Sequence, residues 1–305
     1  MRVILHRVAP AHAKTLFLAL GLAGCNPGAQ EATRLRGACD AGDATACHTF
    51  AVKLQEGEYV LTDEPRAAGL FDGACEAGVA ESCVRLGLMR LRGQGVDRDS
   101  ARAARLYQQG CEGGAMEGCN RLGVLYRDGD SLTRDLARAT GLFQQACEGG
   151  LLPACSHLGA SYARGEGVGR DPARAAALFL QACDGDVAPG CLGAGELYAA
   201  GAGVPPDAAE AAGFYRRACD GEEAAGCTAL GDLFAAGEGV AQDFEQAAGL
   251  YREACNDGYA EGCFSLGVLY QNGTGVPHQS GRAAALIRRA CNMGYADACP
   301  KERGS

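Results

Sequence analysis

Lysine is nearly missing from this chain of 305 residues, which holds only Lys14, Lys53 and Lys301. Arginine does not make up the deficit: Lys plus Arg total 28 against 37 Asp plus Glu, for a net charge of −9. Without a cation excess to neutralise phosphates, general nucleic-acid binding is excluded. Histidine is scarce as well. His6, His12, His48, His157 and His278 form no HExxH or comparable spacing, so no metal site is expected. No Ser is followed three residues later by Lys, and SDN and KTG are absent, so serine acyl-transfer chemistry of that kind has no carrier. No catalytic residue is nominated and no cofactor is implied. Long apolar runs are lacking too: the one apolar stretch, Thr15 to Leu22 (TLFLALGL), is too short to span a bilayer as a helix.

Cysteine, in contrast, is abundant at 17 residues, and its placement organises the chain. Cys39, Cys75, Cys111, Cys147, Cys183, Cys219, Cys255 and Cys291 stand 36 residues apart, and each has a partner eight residues later. The partners are Cys47, Cys83, Cys119, Cys155, Cys191, Cys227, Cys263 and Cys299; only Cys25 is off this ladder. A fixed period without drift means one structural unit copied along a linear array. Paired thiols in this number would be hard to keep reduced in a cytosol, so an oxidising extracytoplasmic space is expected.

Counting each ladder cysteine as offset 0, Leu recurs at 11, Gly at 12, an aromatic at 15, Gly at 18 and 20, Asp at 24, Ala at 28 and 35, and an aromatic at 32; Cys227 to Cys255, CTALGDLFAAGEGVAQDFEQAAGLYREAC, is the clearest copy. Offsets 8, 11, 12 and 15 share one helix face, and 28, 31, 32 and 35 share another, so each unit is a helical hairpin. The glycines at 18 and 20 stop the first helix and the Asp at 24 starts the second. Gly at 12 permits close approach of the two helices, at about 1 kcal/mol of helix propensity. EATRLRGAC reads as a lone second helix from Glu31 to Cys39, and the first period departs most from the pattern, with Tyr59 and Pro65.

Arg2, Arg7 and Lys14 precede the apolar stretch in the manner of a secretory signal. Leu22-Ala23-Gly24-Cys25 then resembles the lipobox of bacterial lipoproteins, which implies cleavage before Cys25 and a diacylglycerol on its thiol. Asn26 in place of Asp implies, by the same likeness, the outer membrane. Residues 1–24 carry three bases and no acid, so their removal leaves a still more acidic chain. The domain reading is signal peptide 1–24, lipidated cysteine and short linker 25–30, repeat solenoid 31–299 and tail 300–305.

LGVLYQNGTGV at Leu266 to Val276, followed by RAAALIRRAC, resembles the Sel1-like repeat, a relative of the tetratricopeptide repeat. The 36-residue period with its cysteines is similar, more narrowly, to the Helicobacter cysteine-rich protein family. The resemblance covers roughly residues 30 to 299 and implies an all-α, α/α solenoid of about seven hairpins. For the cysteines, offset 0 ends one hairpin and offset 8 opens the next, so local bridges would staple neighbouring repeats: Cys39–Cys47, Cys75–Cys83, Cys111–Cys119, Cys147–Cys155, Cys183–Cys191, Cys219–Cys227, Cys255–Cys263 and Cys291–Cys299. The other connectivity, Cys47 to Cys75 and onward, would tie two helices inside one hairpin. A metal ladder lacks the four ligands structural zinc wants.

In tetratricopeptide-like arrays the first helix lines a concave groove, and here offsets 6, 9, 10, 13, 16 and 17 vary between copies. Repeats two to four place Arg85, Arg92, Arg121, Arg127 and Arg164 on that stripe, with His157; repeats five to seven place Leu192, Glu196, Ala199, Thr228, Asp232, Phe264 and Val268 there. A protein or peptide partner with an anionic stretch is expected on the arginine half, against the competing reading of merely solvated arginines. The function expected is a monomeric, lipid-anchored envelope scaffold or adaptor, with membrane contact through Cys25. The Helicobacter resemblance implies an alternative: a binder of β-lactams or peptidoglycan fragments with weak β-lactamase activity.

Overall fold

The computed structural model describes residues 26–129 and 131–299, so the expected signal segment, Cys25 and the tail 300–305 lie outside the described residues. The described residues form fifteen α-helices and no strand. α1 (Pro27–Asp40) stands alone. Seven hairpins follow, pairing α2 (Ala44–Glu56) with α3 (Glu64–Glu76), α4 (Ala80–Arg92) with α5 (Ser100–Glu112), and α6 (Met116–Asp128) with α7 (Leu136–Glu148). Next come α8 (Leu152–Arg164) with α9 (Pro172–Asp184), and α10 (Ala188–Ala200) with α11 (Ala208–Asp220). α12 (Ala224–Ala236) pairs with α13 (Phe244–Asn256) and α14 (Ala260–Asn272) with α15 (Ser280–Asn292), and a 3-10 turn at Ala296–Ala298 closes the array.

Helix boundaries follow local chemistry. Asp63, Asp99, Asp135, Asp171, Asp207 and Asp243 each accept a hydrogen bond from the backbone N–H three residues ahead, satisfying a donor that the first turn leaves free. The even-numbered helices end on glycines in the left-handed region, Gly57 through Gly273 at φ 64 to 77°. α1 departs from expectation by starting at Pro27 and not Glu31. Asn26 accepts from the Gly28 N–H at 3.0 Å, and Pro27 occupies the first turn, where its missing N–H costs nothing. Residues 27–30, expected as linker, are therefore helical.

In the second to sixth hairpins the aromatic at offset 32 fills the space over the glycine at offset 12, and in the last Ile287 does so over Gly267. A Cβ on Gly87 would sit 2.7 Å from the Tyr107 ring, and one on Gly123 2.7 Å from Phe143. The alanine rows of the odd helices, Ala103, Ala139, Ala175, Ala211 and Ala247, are fully or almost fully buried, which lets helix backbones approach closely. The core is accordingly a series of clusters handed on from hairpin to hairpin, as expected where each unit buries its apolar face on its neighbour.

All eight disulfides are local, each joining the end of an odd helix, or of α1, to the segment that opens the following unit. Cα–Cα distances run from 4.4 to 4.8 Å. A closed loop of this size is worth about 2.5 kcal/mol on the chain-entropy account. The staples thus sit at the hairpin interfaces, the places where a linear array would otherwise open. Successive even helices touch directly, α4 with α6, α8 with α10 and α12 with α14, whereas no two odd helices pack to that degree. The even helices consequently occupy the inner side of the superhelix.

Candidate functional site: the concave face of the first helices

The even helices expose their variable residues on this inner side, with one correction. Offset 9 was expected on the open stripe, but Val84, Asn120, Ser156 and Thr228 are all buried there. That row lies between successive even helices: Thr228 Oγ1 is 3.2 Å from the point where a Cβ on Gly262 would stand. Thr228 is therefore packing and not partner face. Offset 9 varies because each copy meets a different neighbour, not because it meets solvent.

The arginines expected to form the partner-binding half differ in how free they are. Arg85 is half-buried and Arg92 exposed, and neither has an ion-pair partner among the described residues. Arg121 Nε lies 2.7 Å from Glu117 Oε1, Arg127 Nε 2.7 Å from Asp128 Oδ1, and Arg164 Nε 3.5 Å from Glu166 Oε1. Such exposed pairs are worth a few tenths of a kcal/mol to about 1 kcal/mol, so a ligand carboxylate can compete for them, but they dilute the positive charge. His157 is not a free contact. Its Nδ1 lies 2.9 Å from Asn120 Oδ1 and its ring 4.8 Å from that of Phe143, which binds α8 to α6 and α7. Burial, assisted by the Arg127 charge, holds its pKa down at about 4, so it is neutral at physiological pH. His48 makes the analogous link from α2 to α4, with Nδ1 2.8 Å from Ser82 Oγ.

Three tyrosines at offset 32 add polar groups to the helix face whose spacing marks a row of aromatics. Tyr107, Tyr215 and Tyr251 lie on odd helices and are 1%, 6% and 4% exposed. Each ring packs over the glycine at offset 12 of its own hairpin. Tyr107 approaches the Arg121 guanidinium without a hydrogen bond of acceptable geometry, and its hydroxyl is buried without a partner. Burial pushes this phenol up, and the nearby Arg121 and Arg92 charges oppose that shift. The Tyr107 hydroxyl is closed off from solvent, so the donors open to a ligand carboxylate here are the guanidiniums.

The C-terminal half reverses the sign. Tyr251 Oη donates to Asp232 Oδ1 at 2.7 Å. Tyr215 holds the same position one repeat earlier, where Glu196 replaces Asp232, and its pKa is raised to about 12 by burial and by the Glu196 and Asp232 charges. Glu196 and Asp232 are exposed, and partial desolvation by the surrounding chain raises the pKa of both. The signal in the sequence was a Gly-acid pair at offsets 12 and 13 combined with Tyr at 32. Among the described residues the one group with metal-ligand proximity is Cys219, Cys227 and Glu253, and its two sulfurs are spent in a disulfide. No helix of the described residues is long and apolar enough to cross a membrane.

The model of the family described as Sel1 repeat matches residues 80–114, 117–151, 152–187, 188–222, 224–259 and 260–295. The unmatched first hairpin is the one whose loop carries Tyr59 at φ 60°. No curated protein matches the chain. Among solved structures, a protective antigen of uropathogenic Escherichia coli with an SLR fold is 26% identical, with a TM-score of 0.74 over 88% of this chain; the chain spans 57% of that antigen's length. A Sel1 repeat protein from Oxalobacter formigenes is 24% identical, with a TM-score of 0.70 over 88% of this chain and 78% of its own. Helicobacter pylori cysteine rich protein B is 24% identical, with a TM-score of 0.34 over 40% of this chain and 88% of its own.

Proposed function

Because the chain belongs to the Sel1 repeat family, we propose that it works as an extracytoplasmic repeat scaffold that holds a protein partner on the concave face of its even helices. Eight disulfides fit an oxidising compartment. The finer reading is a lipoprotein of the outer membrane, with signal 1–24, lipid on Cys25 and a solenoid that starts directly behind the anchor. The observation that carries partner binding is that Arg85 and Arg92, both on the even helix α4, have no ion-pair partner among the described residues. A carboxylate of the partner collects charge-assisted bonds from these arginines. Arg85, Arg127 and Arg164 extend the positive side along the groove. Rigidity supports the same reading, since a stapled solenoid presents its surface with little ordering cost on association.

The test is binding of a labelled glutamate-rich peptide to wild type and to Arg85→Glu/Arg121→Glu/Arg164→Glu. Loss of binding in the triple variant is the expected result, and unchanged affinity would sink the proposal. Incorporation of labelled palmitate into wild type and not into Cys25→Ala tests the anchor separately. The β-lactam or peptidoglycan-fragment alternative has the family resemblance behind it and no observation at this site.

A further inference from the structure

The two halves of the concave face differ in how completely their charges are neutralised. In the arginine half, Arg121, Arg127 and Arg164 already touch a carboxylate. In the other half, neither Glu196 nor Asp232 has an ion-pair partner among the described residues, although Arg164 acts on Glu196 electrostatically. Each of these acids stands beside a tyrosine more than nine-tenths buried, Tyr215 or Tyr251. Tyr251 donates its proton to Asp232, which leaves the other carboxylate oxygen available. Tyr215 makes no side-chain hydrogen bond among the described residues, its ring lies against Gly195, and the charge of the adjoining Glu196 acts on its phenol. A phenol oxygen and a carboxylate side by side are two acceptors that one cationic ligand group can meet together.

We propose that the C-terminal half of the concave face recognises a cationic peptide segment, with Glu196 and Tyr215 receiving one arginine or lysine and Asp232 and Tyr251 receiving the next. A guanidinium or ammonium donates to the carboxylate and to the phenol oxygen together and also neutralises the carboxylate's charge, which a neutral amide does not. The two pairs are related by one repeat, and neighbouring even helices lie on the order of 10 Å apart. An extended peptide covers that distance in about three residues. Cations three positions apart therefore fit both pairs. This inference rests on the reading of the concave face as a partner surface and adds the charge of the partner's other end.

The experiment measures fluorescence anisotropy of a labelled peptide with repeated Arg-Ala-Ala spacing, at physiological salt, against the full chain. Glu196→Gln/Asp232→Asn is expected to weaken binding at least tenfold, and Tyr215→Phe about threefold. Glu112→Gln/Glu148→Gln, which removes two charges from odd-helix ends away from the groove, is expected to change it less than twofold. Equal loss in the two double variants would reduce the effect to net charge and overturn the proposal, as would absence of binding by wild type. The Arg85/Arg121/Arg164 reversal keeps the cationic peptide bound if the halves act separately. Binding of the glutamate-rich peptide alone would sink this inference and leave the scaffold reading standing, whereas binding of neither peptide sinks both.

Discussion

Removing one interior staple should weaken the array far more than removing the last one. Cys147 and Cys155 are 6% and 0% exposed and join the end of α7 to α8. In Cys147→Ala/Cys155→Ala the unfolded chain regains a small-loop closure entropy of about 2.5 kcal/mol. Loss of two buried sulfur atoms leaves a cavity worth about 1 kcal/mol more, for a total of about 3 to 4 kcal/mol. The damage falls on an interface between hairpins, so the two flanking arms should also lose cooperativity and unfold in separable steps. Cys291–Cys299 fastens only the 3-10 turn at Ala296–Ala298 to α15. Cys291→Ala/Cys299→Ala should therefore fray the C-terminus and leave the main transition within about 1 kcal/mol of wild type. Urea unfolding followed by circular dichroism, with denaturant slopes compared, reads both effects. Equal losses in the two variants, or an interior loss under about 1 kcal/mol, would refute the assignment of these cysteines to interface stapling.

Three further predictions rest on other parts of the molecule. A Cβ on Gly239, at φ 66°, would lie 2.2 Å from the Ala208 backbone carbon, so Gly239→Ala should cost about 2 to 5 kcal/mol, whereas Gly213→Ala, with nothing within 4 Å, should gain about 1 kcal/mol in the same unfolding assay. With its folded-state pKa near 4 against an ordinary 6.5, His157 takes up a proton first in the unfolded state, so acidification from pH 6.5 to 4 should remove up to about 3 kcal/mol of stability, a loss that His157→Gln suppresses; parallel pH profiles would contradict this. Glu196 and Asp232 have pKa values raised by desolvation, so the stability they contribute when protonated is lost as pH rises through those values; Glu196→Gln/Asp232→Asn should then raise the urea midpoint at pH 7, and a lowered midpoint would argue against the desolvation.

Most of the architecture was legible because the ladder supplies its own alignment. Cysteines at offsets 0 and 8, Gly at 18 and Asp at 24 each have one local job, and each does it where its spacing placed it. α1 was misread at its start because Asn26 and Pro27 are a cap and a first-turn proline that occur once, outside the repeat. Variation between copies was a weaker guide to exposure. It marked the open residues Glu196 and Asp232 correctly, but it also marked Thr228, which is buried between α12 and α14. His157 looked like a surface contact for the same reason, and its bond to Asn120 depends on how far α8 leans on α6, a distance no single helix pattern encodes. The tyrosines were hidden by their own regularity. Offset 32 holds Phe71, Phe143 and Phe179 as well as Tyr107, Tyr215 and Tyr251, so the row reads as core until the bond from Tyr251 to Asp232 shows what the hydroxyl adds.

The concave face, positive along α4 to α8 and negative along α10 to α12, is proposed to receive one partner along its whole length. The most direct test is the affinity of a single peptide carrying a glutamate block followed by an arginine block, in both chain orders, compared with each block alone. Linking two modest contacts makes the second intramolecular, so one of the two orders should bind at least tenfold more tightly than the better single block. A linked peptide that binds no better than its stronger half, in either order, would contradict a single bipolar groove.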